Sequence, residues 1–380
     1  MLKTEQKLGL AGEFRVIVRN KDGSIKSDTG MQSNLVVDNG IKHYLGLPMI
    51  NSHGDERPHS NGFMNNCIVG TGNNEPAITD IALQNFVSVA VASRDWENGR
   101  EEPTDTLHPG YVKLWKRAKY IFDNINNQNI TELGLASHYN ENEWYGNQTI
   151  RTYKLMTRAL IKDKSGTPIA VTVLEGEILE VIYQINMYLD IKRKTGSFTL
   201  TTTKDGVDTA DIFDYFIQPC NIGSADNIAG WYDISGYDSW VSTWGVKEID
   251  ADLDANYDLD AIEFQNITHL NDASIVSKIA GYKVSGSNDY NKYTYNYQIA
   301  SDYISDFSTK TRSAKFTHGI YTHVHPNGIR AYRTGITSGY SNLMAALVVL
   351  KNRANGQGIK KTDRQLWEHG LQFTIDRWSE

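Results

Sequence analysis

One short acidic segment has the residue types and the spacing of a calcium-binding loop. Oxygen-bearing side chains stand at the positions that bind the ion in such a loop: Asp252, Asp254, Asn256, Asp258, Asp260 and Glu263. The pattern also departs from that loop, because Tyr257 stands where a glycine permits the sharp turn, and no helix pattern flanks the segment. Two interpretations stay open, a calcium site or an acidic solvated segment with Leu259 and Ile262 turned inward.

Two further sets of chemically capable side chains favour a structural interpretation. His323 and His325 share one face of a predicted strand, a spacing that some metal sites use, but no Cys or acidic residue accompanies them. Glu132 could act as a catalytic carboxylate, yet at a sheet edge we expect it to accept hydrogen bonds from backbone amides. Gly70 and Gly72 are predicted to be tight-turn glycines, because no phosphate-loop lysine follows them.

The sequence contains no recognisable arrangement of catalytic residues. No G-x-S-x-G or H-E-x-x-H pattern occurs, and no carboxylate pair can be assigned for glycoside hydrolysis. We therefore predict that the protein is not an enzyme, with no catalytic residue and no cofactor apart from the calcium candidate. Trp231, Trp240 and Trp244 lie on predicted loops, where they either pack and form subunit contacts or stack on sugar rings.

Composition limits the classes of partner. The chain has 380 residues and a net charge of −7, and this acidity argues against nucleic-acid binding. Cys67 and Cys220 are far apart and are predicted to be small core residues. No secretory signal or membrane-spanning apolar run is evident, so we expect a soluble protein, made in a reducing cytoplasm, without membrane insertion.

The elements that must position these residues are predicted to be mainly β-strands. The clearest signal runs from Thr149 to Asp190, where three predicted strands are joined by turns. The last of them has apolar side chains at alternate positions: Leu179, Val181, Tyr183, Ile185, Met187 and Leu189. A strand of this length is expected near the middle of a sheet.

Other segments carry local signals. Asp38 is predicted to cap a short helix over 39–45 that Gly46 ends. Asn34 stands between a strand and a turn and is predicted to bond local backbone. Residues 51–65 and 93–110 are predicted to be exposed loops.

Four segments resemble parts of one protein family. They read TG-M-x-S-NLVVDNGI from Thr29, I-V-G-T-G-x-x-x-P from Ile68, I-T-E-L-G-L from Ile130, and LIKD-x-x-G-x-P from Leu160 followed by E-I-L-E-V-x-Y. In this order they resemble the first domain of tail, collar and fibre proteins of tailed bacteriophages. The resemblance covers about half of the chain, between Gly12 and Asp190.

The resemblance implies a fold and a function. The expected fold is mainly β, with two β-sandwich-like domains, long loops and a few short helices, divided into a tail-type domain at 1–192 and a second β-rich domain at 193–380. The expected function is that of a structural virion component in the tail, the collar or the fibre attachment. Its expected partners are further copies of the chain and other virion proteins, and its expected location is the virion, assembled in the host cytoplasm.

Two other functions remain as alternatives. The loop tryptophans would suit a carbohydrate-binding protein of the tail that recognises a host-surface glycan. A glycan-cleaving enzyme is the third alternative. The sequence lacks a long repetitive shaft, which favours an adaptor or collar component over a complete fibre.

Overall fold

A computed structural model of the chain describes most of its residues. These are 2–57, 63–93, 97–101, 111–142, 149–190, 194–220, 274–280, 298–299, 303–318, 331–338, 341–356, 359 and 367–378. The acidic segment Asp252 to Glu263, the three loop tryptophans, His323 and His325 lie outside the described residues. The predictions made for them stay predictions.

Strands dominate the first half of the chain, with one helix, α1 (Asp38–Leu45), in its described residues. The strands are β1 (Leu2–Arg19), β2 (Ile25–Asp28), β3 (Gln32–Val36), β4 (Met49–Ile50), β5 (Glu56–Arg57), β6 (Asn66–Gly70), β7 (Phe86–Val91), β8 (Glu97–Glu101), β9 (Tyr111–Phe122), β10 (Gln128–Ile130), β11 (Glu132–Asn142), β12 (Thr149–Leu155), β13 (Thr157–Leu160), β14 (Val171–Val173) and β15 (Ile178–Asp190).

The second half contributes nine described strands. They are β16 (Lys194–Lys204), β17 (Val207–Cys220), β18 (Ser274–Ala280), β19 (Gln298–Ile299), β20 (Tyr303–Asp306), β21 (Thr311–His318), β22 (Ala331–Ser338), β23 (Ser341–Asn352) and β24 (Trp367–Arg377). The predicted mainly β fold class is thereby confirmed. Over the described ranges, no helix is both long enough and apolar enough to cross a membrane.

The largest sheet curls so far that two of its strands, β7 and β9, come into contact. Its path runs β20-β21-β24-β1-β3-β13-β11-β6-β7, while β15 joins β1 to β9. An isolated antiparallel bridge between Ala92 and Tyr120 then brings the end of β7 to β9, and the Ser93 amide donates to the Lys119 carbonyl oxygen at 2.7 Å. The strands β1, β3, β13, β11, β6, β7, β9 and β15 therefore form a closed circuit around one core.

The alternation predicted for the last strand of the segment from Thr149 to Asp190 is confirmed by β15. Its inward side chains Leu179, Val181, Tyr183, Ile185 and Met187 are all buried in this core. Each apolar side chain so buried contributes about 1.5–3 kcal/mol relative to its exposed state. β15 lies between β1 and β9, with twelve register pairs on each side, so it is a central strand as predicted.

The second half of the chain is shared between two sheets. β16, β17, β23, β22, β18 and β19 form a six-stranded sheet that begins just after the predicted boundary at 192/193. The chain then returns to the large sheet, where β24 pairs in parallel with β1 and antiparallel with β21. The last strands thus extend the sheet of the first half, while the division into domains 1–192 and 193–380 stays a prediction.

Three local predictions were wrong. Residues 51–65 are not simply an exposed loop, because Glu56–Arg57 form β5 and Phe63 and Met64 are fully buried. Asp38 does not cap α1: it is the first helical residue, Val37 precedes it without a side-chain cap, and the Asp38 carboxylate pairs with Arg377 instead. Gly46 ends the helix in the left-handed conformation, as predicted. Within 93–110, the segment β8 is a strand, because it pairs with the edge that β9 would otherwise leave open.

Candidate functional site

A buried carboxylate ties three separate segments together. Glu132 is fully buried at the start of β11, and its Oε1 accepts hydrogen bonds from the amides of Gly72 at 2.9 Å and Asn85 at 3.0 Å. Its Oε2 accepts a hydrogen bond from Arg158 Nε at 2.9 Å. The prediction that Glu132 bonds backbone amides is confirmed. All of these groups are held by protein, so this carboxylate serves to anchor the chain.

Arg158 extends this anchor to the loop that follows β6. Its guanidinium contacts Asp80 Oδ2 at 2.7 Å and the Asn74 carbonyl oxygen at 3.1 Å, and its side chain is only 4% exposed. Burial lowers the pKa of Arg158, but the hydrogen bonds to Asp80 and Glu132 outweigh burial and raise it overall. Arg158 therefore stays charged, and its charge is balanced by two carboxylates.

The glycines of the I-V-G-T-G segment are required by close approach to Glu132. Gly70 is the last residue of β6 and Gly72 does not lie in a turn, so the prediction of tight-turn glycines was wrong. A Cβ at Gly70 would lie 2.5 Å from the Asn85 carbonyl oxygen, and a Cβ at Gly72 would collide with Glu132 and Gln84. Glycine is needed here because a side chain would push the backbone away from the carboxylate.

A second buried polar network lies inside the strand circuit. Asn34 Nδ2 donates to the Tyr183 hydroxyl, which lies 2.5 Å from Thr157 Oγ1, and Thr157 Oγ1 accepts from the Leu135 amide at 2.9 Å. The prediction that Asn34 bonds local backbone was wrong, because β3 and β15 bring Asn34 to a side chain 149 residues away. Burial raises the pKa of the Tyr183 phenol, so the hydroxyl stays protonated.

A third contact joins β3 to the turn after β13. Gln32 Nε2 donates to the Lys162 carbonyl oxygen at 2.6 Å, and Gln32 Oε1 accepts from the Lys162 amide at 3.0 Å. This side chain therefore pairs with backbone in the manner of a neighbouring strand. Together the three networks connect all four segments that carry the phage-tail resemblance.

An aromatic surface lies on the outer side of the same strands. Trp378 stacks on Tyr188, with ring centroids 4.1 Å apart, and meets Tyr111 edge-on at 4.9 Å. Trp115 follows on the outer face of β9, and the Arg117 guanidinium lies 5.0 Å from its ring centroid. These residues were not among the predicted sites. The signal for them was the alternation in β9, which separates Trp115 and Arg117 from the inward residues.

The remaining site predictions have mixed outcomes. Cys67 is a free, fully buried core residue, as predicted, and burial raises the pKa of its thiol. Among the residues that the structure describes, no three His, Cys, Asp or Glu side chains form a group suited to a metal ion.

Comparisons with known protein families, curated proteins and solved structures returned no match for this chain.

Proposed function

We propose that this chain is a structural component of a tailed-bacteriophage particle and acts through assembly. The observation that carries the proposal is the mutual contact of the four resembling segments. Gln32 binds Lys162, Asn34 binds Tyr183, and Gly72 binds Glu132. Each contact joins two of the quoted motifs, and five of the six residues are specified by those motifs, while Gln32 occupies the unspecified position of the first motif.

The character of these contacts supports a structural role. The anchor around Glu132 and the network around Tyr183 are buried and satisfied mainly by protein groups. Groups that act on a substrate need access to it, whereas groups that hold strands in register do not. The proposed role is therefore mechanical: a rigid unit that presents surfaces to neighbouring proteins.

One edge of the six-stranded sheet is suited to such contacts. β16 is the terminal strand of that sheet, and from Ser197 to Thr203 it carries no charge and no proline. Residues 207–212 of β17 precede the pairing with β23 and pair with β16 alone among the described strands, so the tip of the β16–β17 hairpin extends as a two-stranded ribbon. Val207 and Ile212 on this ribbon are 64% and 42% exposed. Such a ribbon gains stability by pairing with another chain.

The partners proposed for this role are further copies of the chain and other virion proteins. The proposed location is the virion, after assembly in the host cytoplasm. A position in the tail, the collar or the fibre attachment is equally compatible with these contacts.

Complementation of incomplete particles tests the proposal. Particles would be produced from a genome in which the gene for this chain is inactivated, and purified protein would be added to the lysate. The expected result is loss of infective particles and their recovery on addition of the intact protein. A Gly72→Leu variant, which cannot close on Glu132, should fail to restore them, whereas Ile304→Ala, at a 69% exposed position, should succeed. Fully infective particles without the chain would overturn the proposal.

A further inference from the structure

The hairpin of β16 and β17 closes through a two-residue turn that fixes the direction of every backbone group in β16. Asp205 and Gly206 form the turn, and both have a positive φ. A turn of this type closes with a hydrogen bond from the amide that follows it to the carbonyl oxygen that precedes it. Lys204 and Val207, which flank the turn in the register of the two strands, therefore form a hydrogen-bonded pair.

Every second residue of β16 points its backbone N–H and C=O away from β17. Hydrogen-bonded and non-hydrogen-bonded pairs alternate along an antiparallel ladder, starting here from the pair of Lys204 and Val207. Thr202 points inward, and its carbonyl oxygen also accepts from Thr209 Oγ1 at 3.1 Å. The residues that point outward, and whose side chains are also exposed, are Ser197, Thr199, Thr201 and Thr203.

These outward groups form an edge that lacks the usual protection against strand pairing. β16 pairs with β17 and with no other described strand. From Thr195 to Thr203 the strand has no charged residue and no proline, the two residue types that commonly prevent an edge from pairing. An extended, uncharged edge of this kind is complementary to another strand of similar composition.

The lysines at the two ends of β16 limit how a second copy of this strand could pair with it. In a two-fold antiparallel register centred on Thr199, Lys194 would lie opposite Lys204 of the second copy. Like charges directly opposite each other are destabilising. A register centred on Thr201 avoids this, but it shortens the overlap because the strand ends at Lys204.

A register centred on Leu200 satisfies both conditions. It places Lys204 opposite Gly196 of the second copy, so no two lysines meet and the overlap extends over both of these positions. It also brings outward residues opposite outward residues, as an antiparallel ladder requires. On the exposed face, Ser197 then lies opposite Thr203, and Thr199 opposite Thr201.

The other face of the same register is equally well matched. Phe198 lies opposite Thr202 of the second copy, a pair of an aromatic and a β-branched residue that stabilises sheets. Leu200 is half-buried beside the small core of the six-stranded sheet, and it lies opposite Leu200 of the second copy. The pairing therefore covers apolar surface that the single chain leaves partly exposed.

We propose that β16 pairs with β16 of a second copy of this chain, about a two-fold axis at Leu200. The two hairpins then form one four-stranded sheet, and the two-fold symmetry closes the assembly at a dimer. This inference rests on the assembly role proposed above and names the partner of the β16 edge. One pair of strands buries less than the roughly 1,200 Å² of a standard interface, so we expect a dissociation constant of about 1–10 µM.

Disulfide cross-linking tests the register. Residues directly opposite each other in a non-hydrogen-bonded pair have Cα atoms about 4.5 Å apart, a distance that a disulfide can span. Leu200→Cys should therefore give a covalent dimer under mild oxidation. Thr202→Cys should not, because its counterpart in the second copy is Phe198. The intact protein, treated alike, controls for Cys67 and Cys220.

Sedimentation equilibrium tests the pairing without a cross-link. Thr201→Pro removes an outward amide and leaves the hydrogen bonds between β16 and β17 in place, so it should raise the dissociation constant about tenfold or more. Thr201→Ala is the matched control: it keeps the amide and should retain most of the affinity. If Thr201→Pro does not fold, the comparison of Leu200→Cys with Thr202→Cys still decides.

Three outcomes overturn the proposal. They are an intact protein that is monomeric at about 100 µM, a Leu200→Cys variant that cross-links no better than Thr202→Cys, and a β16 edge that pairs only with a different virion protein. Particle complementation separates this inference from the proposed function. A chain that is monomeric but required for infective particles overturns the dimer alone, whereas infective particles without the chain overturn the proposed function.

Discussion

Trp378 lies flat against Tyr188, with ring planes within 5° of parallel, so the last described residue of the chain packs on the outer face of β15 near the end of that strand. The Trp378 amide also donates to the Leu10 carbonyl oxygen at 2.8 Å. A Cβ on Gly9 would collide with the Trp378 ring, so glycine at this position leaves the space in which the ring packs. The two ends of the chain are thus packed into one structural unit.

The first prediction concerns the packing of Trp378 against Gly9 and Tyr188. Trp378→Ala should lower the free energy of unfolding by about 2 kcal/mol, less than for a fully buried tryptophan because the ring is half-buried. Gly9→Ala should destabilise the protein by a similar route, since the ring must shift. Urea unfolding measures both, and Ile304→Ala at an exposed position is the control. An unchanged free energy of unfolding in both variants would show that the packing of Trp378 does not stabilise the protein.

The second prediction concerns the contribution of β24 to the first half. Phe373 and Ile375 of β24 are fully buried in the same core as β15, and β24 pairs with β1 over nine residues. A fragment of residues 1–192 should therefore fail to unfold cooperatively. Addition of a peptide spanning 364–380 should not restore cooperative unfolding, because the fragment and the peptide together still lack β21. Near-ultraviolet circular dichroism and calorimetry provide the measurement. A fragment with a sharp melting transition would contradict this account and support the domain boundary at 192/193.

The third prediction concerns the buried anchor. Glu132→Gln leaves the Arg158 charge with Asp80 alone, and breaking a buried pair costs about 3 kcal/mol or more. Glu97→Gln removes a comparable ion pair with Arg117, but Glu97 is 65% exposed, so the cost should stay below about 1 kcal/mol. Chemical unfolding of both variants in the same buffer gives the comparison. Equal losses would mean that Glu132 does not anchor the loop.

The fourth prediction concerns acid. The hydrogen bond from Arg15, whose Nε lies 2.8 Å from Asp28 Oδ1, lowers the pKa of Asp28 to about 2. A carboxylate whose pKa is lowered in the folded state stabilises the protein at pH values above its ordinary pKa of 3.8. This stabilisation is lost as the pH falls towards 2. Asp28→Asn should therefore cost about 1 kcal/mol near neutral pH, discounted for the partial exposure of both groups. The difference from the intact protein should shrink between pH 3.8 and 2. A difference that is constant across this range would exclude the pair as its source.

The fifth prediction concerns β16, the terminal strand of the six-stranded sheet among the described strands. Thr201→Lys places a charge on the exposed edge of β16 and should weaken assembly with neighbouring chains, because a charged edge strand resists pairing. Thr172→Lys, on the separate two-stranded β10–β14 sheet, is the matched control. Sedimentation velocity, with and without the virion proteins proposed as partners, reports the assembly state. Assembly that is insensitive to Thr201→Lys would place the interface elsewhere.

Local patterns in the sequence predicted what local physics determines. The alternation of Val181, Tyr183 and Ile185 indicated which face of β15 lines the apolar core, and Gly46 marked the end of α1 through its left-handed conformation. Glu132 was assigned correctly because a carboxylate beside a strand finds backbone amides nearby. The alternation in β15 and the end of α1 are decided within a few residues, whereas the amides that bind Glu132 come from Gly72 and Asn85, 60 and 47 residues away, and the sequence predicted only the kind of partner.

Contacts between residues far apart in the chain could not be predicted from local sequence patterns. Nothing near Asn34 indicates that its partner is Tyr183, and nothing near Leu371 indicates that β24 pairs with β1. The role of Gly72 was missed for the same reason, because the group that excludes its side chain is 60 residues away. The outer face around Trp115 could be assigned to one side of β9, but its neighbours on β15 and β1 depend on the register of three strands.

The presence of the chain in assembled particles tests the central proposal most directly. Particles produced from the genome that encodes this chain would be purified by density gradient and analysed by quantitative mass spectrometry against a known capsid protein. The account predicts several copies of the chain in every particle, retained after high-salt washing. Its absence from particles, together with a monomeric protein that degrades a polysaccharide at an enzymatic rate, would contradict the account and favour the glycan-cleaving alternative.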